Sequence, residues 1–134
     1  MLSLTLSLVL ALTLLPSMAL AAGEGVAIKD TNFPDKNFRT YISETLDTDK
    51  NGFLSKTEID AVTEINVYDK GIADLTGIAY FENLEILNCS YNKLAALDVS
   101  KNTSLKILNC IYNQLTTLDV NKNTALNKLW CGDN

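Results

Sequence analysis

The sequence contains no histidine among its 134 residues. Imidazole acid–base chemistry, Ser-His and Cys-His nucleophilic catalysis and histidine-ligated metals are therefore excluded as functions of this chain. Arginine is nearly absent, since Arg39 is the only one, and the formal net charge is −5. The chain therefore lacks the basic face that nucleic acids and anionic membranes attract, and we expect neither as a partner.

Basic residues are also missing from the N-terminal part, where no lysine or arginine precedes Lys29. Residues 1–15 form an apolar run, which is followed by Pro16 and the small-x-small motif Ala19-Leu20-Ala21. This pattern predicts a secretory signal peptide over 1–22. An uncleaved membrane anchor is the alternative, but the run is short of the ~20 residues that a span needs. We therefore expect a secreted or cell-surface protein with no membrane span after cleavage. Residues 23–32 are polar and contain glycine, which predicts a flexible lead-in.

The sequence repeats itself every 21 residues from Leu84 onward. Leucine, cysteine and asparagine recur in the frame L-x-x-L-x-C-x-x-N-x-L, as the triplets Leu84/Leu105/Leu126, Leu87/Leu108/Leu129, Cys89/Cys110/Cys131 and Asn92/Asn113/Asn134. A fixed period in the low twenties predicts a solenoid of stacked units. The frame resembles the leucine-rich repeat (LRR) of bacterial proteins.

The spacing within one unit gives the resemblance a physical basis. Leu87 and Cys89 are two residues apart, so they point to the same side of a short strand, which we expect to face inward. Asn92 follows where the chain turns, and a buried carboxamide there satisfies backbone groups. Successive strands then form a parallel sheet ~4.8 Å apart. The repeat region divides into a divergent coil 62–83, repeats 84–104 and 105–125, and a partial repeat 126–134.

Three cysteines in an exported protein raise the question of disulfides. Stacked cysteines come within disulfide range, but their parallel Cβ vectors do not converge as a bridge requires. We therefore favour free thiols over disulfides. The partial last repeat has nine residues, so we expect the natural protein to continue beyond it.

A second motif precedes the repeats. Phe38, Tyr41, Ile42 and Leu46 form one apolar stripe, which predicts a helix over 35–46. The sequence DTDKNGFLSKTE at 47–58 follows and matches the pattern D-x-[DN]-x-[DN]-G-x5-E at each required position. The candidate calcium ligands are the side chains or carbonyls of Asp47, Asp49, Asn51, Phe53, Ser55 and Glu58.

The segment 33–61 therefore resembles an EF-hand, with Ser55 and Glu58 as a capping box for the second helix. Leu54 is apolar at the eighth loop position, where EF-hands pair through a short strand. EF-hands usually work in pairs and this sequence has no second loop, so we expect a structural Ca²⁺ site of Kd about 10⁻⁴–10⁻³ M. The alternative is a loop that holds no ion. The expected fold is α+β: an EF-hand-like helix–loop–helix cap followed by an LRR solenoid with a short parallel sheet.

Strand residues that point away from the core line the concave face of the predicted solenoid. Their columns are rich in apolar and aromatic residues, which mark interaction sites when exposed. The alternative is a column merely copied by duplication. The predicted partner-binding residues are Ile86, Asn88, Tyr91, Ile107, Asn109, Ile111, Tyr112 and Trp130. Asp98 and Asp119 are also 21 residues apart, but they recur in every turn and we interpret them as scaffold.

Both motifs together are similar to secreted LRR proteins of Gram-positive bacteria that carry an EF-hand-like segment before the repeats, internalin-like in broad architecture. The resemblance covers residues 33–134 and implies a monomeric, non-enzymatic module that binds a protein or surface ligand on its concave face. The alternative is a structural spacer of a larger surface protein.

Overall fold

The computed structural model describes residues 25–134, so the predicted signal peptide over 1–22 lies outside the described residues. An N-terminal segment over 25–61 precedes a stack of coils over 62–134. The elements are β1 (Gly25–Ala27), α1 (Lys36–Tyr41), a π-helical turn (Ile42–Leu46), β2 (Phe53–Ser55), α2 (Lys56–Ala61), β3 (Glu64–Asn66), a 3-10 turn (Ile78–Tyr80), β4 (Ile86–Asn88), β5 (Ile107–Asn109) and β6 (Lys128–Trp130). No helix in the described part is long and apolar enough to cross a membrane.

Helix α1 begins at Asp35, whose Oδ1 accepts hydrogen bonds from the backbone N–H groups of Asn37 at 2.8 Å and Phe38 at 3.0 Å. The helix widens in its last turn, where the N–H of Asp47 bonds the carbonyl of Ile42 at 3.1 Å. The predicted helix over 35–46 is therefore present, with a π-helical end. Asp47 follows directly after this π-helical turn as the first residue of the loop, and it is 2% exposed.

Strand β1 corrects the expectation of a flexible lead-in over 23–32 for the part that the structure describes, residues 25–32. Residues Gly25–Ala27 pair with β2 in an antiparallel two-stranded sheet, and Val26 lies opposite Leu54. Residues 28–33 continue as hydrogen-bonded turns in which the N–H of Phe33 bonds the carbonyl of Lys29 at 2.9 Å. Pairing with a distant strand orders this segment, and short-range sequence does not reveal that pairing.

The coils stack through one parallel sheet in the order β3-β4-β5-β6. Ile65 lies beside Leu87, Leu87 beside Leu108, and Leu108 beside Leu129, so the predicted interior row exists. Ile65, Leu87 and Leu108 are fully buried, whereas Leu129 in the last coil is 40% exposed. Each coil thus buries its apolar face against its neighbours, as expected for a solenoid.

Asparagine side chains join the coils where the chain turns after each strand. Asn92 Oδ1 accepts from the N–H of Ile72 at 2.9 Å, and its Nδ2 donates to the carbonyl of Val67 at 2.8 Å, both in the preceding coil. A second asparagine column was not predicted. Asn102 Nδ2 donates to the carbonyl of Phe81, and Asn123 Nδ2 donates to that of Asn102, each at 2.9 Å.

The N-terminal segment and the first coil share one hydrophobic core. The second carboxylate oxygen of Asp35 accepts from the N–H of Ala73 at 2.8 Å, so the residue that begins α1 also holds the first coil. Gly77 adopts φ 102, and a Cβ there would lie 2.3 Å from the ring of Phe33. The close approach of that turn to Phe33 therefore requires glycine.

Candidate functional site

The loop 47–58 gathers three carboxylates. Asp47, Asp49 and Glu58 each place an oxygen within 4.8 Å of the others. Asp47 is buried, and its two oxygens accept from the backbone N–H groups of Asn51 at 3.2 Å and Gly52 at 3.0 Å. The buried carboxylate is therefore held by the amides of its own loop.

Glu58 closes the loop from α2. Its Oε1 accepts from the N–H and the hydroxyl of Thr48, both at 2.7 Å, and its Oε2 accepts from the N–H and hydroxyl of Ser55 at 2.9 and 2.8 Å. The reciprocal bond from the Glu58 N–H to Ser55 Oγ completes the predicted capping box. These bonds, that from the Thr48 side chain foremost, lower the pKa of Glu58 from 4.5 to about 2, so the side chain stays anionic in mildly acidic solution.

The remaining predicted ligands lie between these carboxylates. Asn51 Oδ1 accepts from the N–H of Phe53 at 2.8 Å, and Asn51 Nδ2 donates to Asp49 Oδ2 at 2.8 Å. Gly52 has φ 84, the left-handed conformation that the sharp turn requires. Phe53 starts β2, and Ser55 precedes α2. All six predicted residues therefore lie along one loop, in which the oxygens of Asp47, Asp49 and Glu58 come together.

The donor set suits a hard cation. Neither ion pair found among residues 25–134 involves Asp47, Asp49 or Glu58, so no lysine or arginine of that part of the chain is paired with these carboxylates. Carboxylate, carboxamide and carbonyl oxygens are the ligands that Ca²⁺ takes. Each carboxylate oxygen of Glu58 already accepts two hydrogen bonds. Bidentate coordination of Ca²⁺ by Glu58 would therefore require the hydroxyls of Thr48 and Ser55 to turn away.

A second candidate surface lies on the outward side of the coil sheet. Outward strand positions carry Ile86, Asn88, Ile107 and Asn109, which are half-buried, and Trp130, which is 48% exposed. The predicted residues Tyr91, Ile111 and Tyr112 do not belong to the strands, because each strand ends before them. They lie in the turns that follow β4 and β5 and border the sheet at its carboxyl edge.

Tyrosines form a continuous row at that edge. The ring centroids of Tyr91 and Tyr112 are 4.4 Å apart and stacked at 28°, and the Tyr68 ring lies 5.3 Å from that of Tyr91. All three rings are exposed. Sequence reasoning missed Tyr68, although its position beside Asp69 in the divergent coil, 22 residues before Ser90, was a usable signal.

Tyr91 and Tyr112 adopt left-handed backbone conformations, with φ 58 and 52. Asp69 and Asp133 occupy the same turn position in their coils and share this conformation, with φ 49 and 54. Aspartate tolerates the left-handed region far better than a bulky residue does. Two tyrosines in this position therefore carry a conformational cost that the scaffold alone does not require.

The cysteines are free thiols, as expected. Cys89 and Cys110 are buried in the core and Cys131 is exposed. Burial raises the pKa of Cys89, and it raises the pKa of Cys110 to about 11, so both thiols stay protonated at neutral pH. They act as small apolar core residues.

Asp98 and Asp119 bond the turns in which they lie. Asp98 Oδ1 accepts from the N–H of Ser100 at 2.9 Å, and Asp119 Oδ1 accepts from that of Asn121 at 2.8 Å. Both contacts are local Asx turns, in agreement with a scaffold role.

Comparison with known proteins finds similarity to bacterial repeat proteins. Internalin J of Listeria monocytogenes serotype 4b is 36% identical over 84 residues, which are 63% of this chain and 9% of the relative. No protein-family model matches the sequence.

Solved structures of internalins also superpose on this chain. An internalin (inlF) of L. monocytogenes superposes with a TM-score of 0.69 at 25% identity, over 80% of this chain and 32% of that chain. A functional domain of InlJ from the same species, which includes a cysteine ladder, gives 0.54 at 30% identity, over 82% and 29%. Internalin C2 gives 0.53 at 14% identity, over 83% and 70%, and shows the fold alone.

This chain has a leucine-rich-repeat fold. The LRR fold accounts for the equal coils, the interior leucine rows and the aligned cysteines. The chain spans about a tenth of the length of Internalin J and about a third of the first two structures, so it corresponds to one part of such proteins.

Proposed function

We propose that this LRR chain is a non-enzymatic protein-binding module of a secreted or surface-displayed protein. The observation that carries the proposal is the exposed row of Tyr68, Tyr91 and Tyr112 beside the outward face of the sheet. Tyrosine and tryptophan are the residue types most enriched among the energetic anchors of protein interfaces. Similarity to the internalins supports the class of function.

The backbone conformation of Tyr91 and Tyr112 favours a binding role over a column merely copied by duplication. A left-handed conformation costs a bulky residue about 1–2 kcal/mol relative to the right-handed one. The same turn position holds the more tolerant aspartate in the coils at either end, at Asp69 and Asp133. Tyr91 and Tyr112 are thus placed where their rings are exposed and stacked on each other, at a cost to stability. A surface that only spaces two domains does not need that arrangement.

Binding is tested against a panel of purified extracellular protein domains, presented to the immobilised chain. The double variant Tyr91→Ser/Tyr112→Ser should weaken binding of any captured domain at least about tenfold, the effect of losing an interface anchor. Tyr80→Ser is the matched control, because Tyr80 is exposed but lies in the 3-10 turn away from this edge. Binding that survives the double variant unchanged would contradict the assignment and favour the spacer function.

We further propose that the loop 47–58 holds a structural Ca²⁺ ion. The support is the cluster of three carboxylates with oxygens inside 4.8 Å, none of them in an ion pair within the described part. Asp47, Asp49 and Glu58 would supply carboxylate oxygens, Asn51 a carboxamide oxygen, Phe53 its carbonyl, and Ser55 a hydroxyl or a bridging water. The ion would tie α1 to α2 and so stabilise the segment that shares its core with the first coil.

Thermal melting tests the calcium site. About 10 mM Ca²⁺ is ten or more times the expected Kd and should stabilise the folded chain by at least ~1.4 kcal/mol relative to chelator at equal ionic strength. Asp47→Ala or Glu58→Ala should abolish the difference, and Glu82→Ala, an exposed carboxylate outside the loop, should preserve it. Equal melting temperatures of the wild-type chain with and without calcium would remove the proposal.

A further inference from the structure

Strand β1 lies directly against the part of the loop that carries the proposed backbone ligand. Gly25 faces Ser55, Val26 faces Leu54 and Ala27 faces Phe53, so β1 covers all three residues of β2. The contact extends beyond the strands, because the N–H of Ile28 donates to the carbonyl of Gly52 at 2.9 Å. The edge of β2 that a lone loop would expose is therefore occupied by the chain's own N-terminal residues.

The register decides which way the carbonyl of Phe53 points. In an antiparallel pair, residues that exchange hydrogen bonds with the partner strand alternate with residues that do not. Gly52 bonds Ile28, so the alternation makes Leu54 the next bonded residue and turns Phe53 away from β1. The N–H of Phe53 indeed bonds Asn51 Oδ1 at 2.8 Å, on the loop side. The carbonyl of Phe53, which lies on the same side as its N–H in a strand, faces the loop as well.

Contacts outside the loop hold β1 in place. Asn32 Nδ2 donates to the carbonyl of Ala27 at 2.8 Å, and Val26 and Ile28 pack against the common core. Gly25 approaches so closely that a Cβ there would lie 2.4 Å from the carbonyl oxygen of Leu54. The strand is thus attached to the body of the protein independently of any ion.

We propose that β1 is a positioning strand for the calcium loop, which raises Ca²⁺ affinity by fixing β2 with the Phe53 carbonyl turned inward. This role of β1 rests on the calcium site proposed above, whose Ca²⁺ affinity would then depend on residues outside the loop as well as on its ligands. In this unpaired loop β1 occupies the edge of β2 at Leu54, the position through which EF-hand loops pair. A preorganised ligand costs less ordering free energy when the ion binds, so affinity rises without a new ligand atom.

Two proline variants test the proposal, with Ca²⁺ itself as the titrant in calorimetry of the full chain. Val26→Pro removes the backbone N–H of Val26, which faces Leu54 and belongs to a hydrogen-bonded pair of the antiparallel sheet. The variant should bind Ca²⁺ roughly five- to tenfold more weakly, the effect of losing one hydrogen bond between the strands or slightly more. Ala27→Pro is the matched control, because the N–H of Ala27 points away from β2 and a proline there is tolerated at a sheet edge. Its affinity should stay within about twofold of wild type.

Hydrogen exchange of the wild-type chain provides a second readout that needs no variant. Coupling between two sites is reciprocal, so Ca²⁺ binding should slow exchange of the Val26 and Ile28 amides. Wild-type calcium binding with no such protection, or with equal affinity in Val26→Pro and Ala27→Pro, would overturn the role of β1 and leave the calcium site standing. A wild-type chain that binds no Ca²⁺ would overturn both.

Discussion

The carboxylate of Glu58 has two structural roles. It caps α2 through Ser55 and closes the loop through Thr48, and the four hydrogen bonds that it accepts hold its charge in place. All four donors belong to the loop itself, so an ion that bound Glu58 would exchange hydroxyl contacts for direct coordination.

The pKa of Glu58 predicts how stability depends on pH. Because the folded-state pKa of about 2 lies below the ordinary 4.5, the stabilising contribution of Glu58 is complete above pH 4.5 and is lost as the pH falls towards 2. We expect urea unfolding of the wild-type chain in chelator to show this loss, and Glu58→Gln to reduce it. Part of the decline should remain in the variant, because hydrogen bonds from Ser100 also lower the pKa of Asp98. An identical decline in both proteins would contradict the assignment.

The asparagine columns act at the scale of whole turns. Asn113 accepts from the N–H of Leu94 and donates to the carbonyls of Cys89, Cys110 and Ile111 at 3.0–3.3 Å, so one side chain serves two coils. Asn113→Leu leaves those buried groups without a partner and should lower the free energy of unfolding by about 2–4 kcal/mol, measured by chemical denaturation.

Asn123 is the matched position for that substitution. It donates two bonds, to the carbonyls of Val99 and Asn102, and its Oδ1 is buried with no hydrogen-bond partner within residues 25–134. Asn123→Leu should therefore cost about half as much, because it loses fewer bonds and removes an unsatisfied oxygen. Equal losses for the two variants would show that shape at the turn, rather than hydrogen bonding, decides stability.

At the scale of the elements, the 21-residue period predicted the features that recur in every coil. The interior leucine row follows from the 21-residue period alone, because equal coils put equal positions side by side. Strand β1 could not be predicted, since three residues show no alternation and its partner is 28 residues away. The left-handed tyrosines were equally hidden, because residue type argues against that conformation and only the neighbouring coils impose it. Asn102 and Asn123 carried the period and could have been found.

At the scale of the whole molecule, stability should depend on the position of a coil in the stack. Leu108 is fully buried between β4 and β6, whereas its equivalent Leu129 in the last coil is 40% exposed. Leu108→Ala should cost about 2–5 kcal/mol, through lost burial and the cavity left behind. Leu129→Ala should cost about 1 kcal/mol or less, because water already reaches the side chain. Comparable losses in denaturant titrations would contradict stacking as the source of stability.

The nearly constant coil length, 22 residues in the first coil and 21 in the next, also governs how the chain reaches its structure. Hydrogen bonds between coils join residues 19 to 25 positions apart wherever an asparagine makes them, from Asn92 to Asn134. Each new coil thus closes a loop of nearly the same short length, and the entropy of closure does not grow as the solenoid lengthens. Folding of such a repeat chain spreads from one finished coil to the next. The core of the N-terminal segment is continuous with that of the first coil, so a chain that emerges from its N-terminus first would offer each new coil a finished neighbour to pack against.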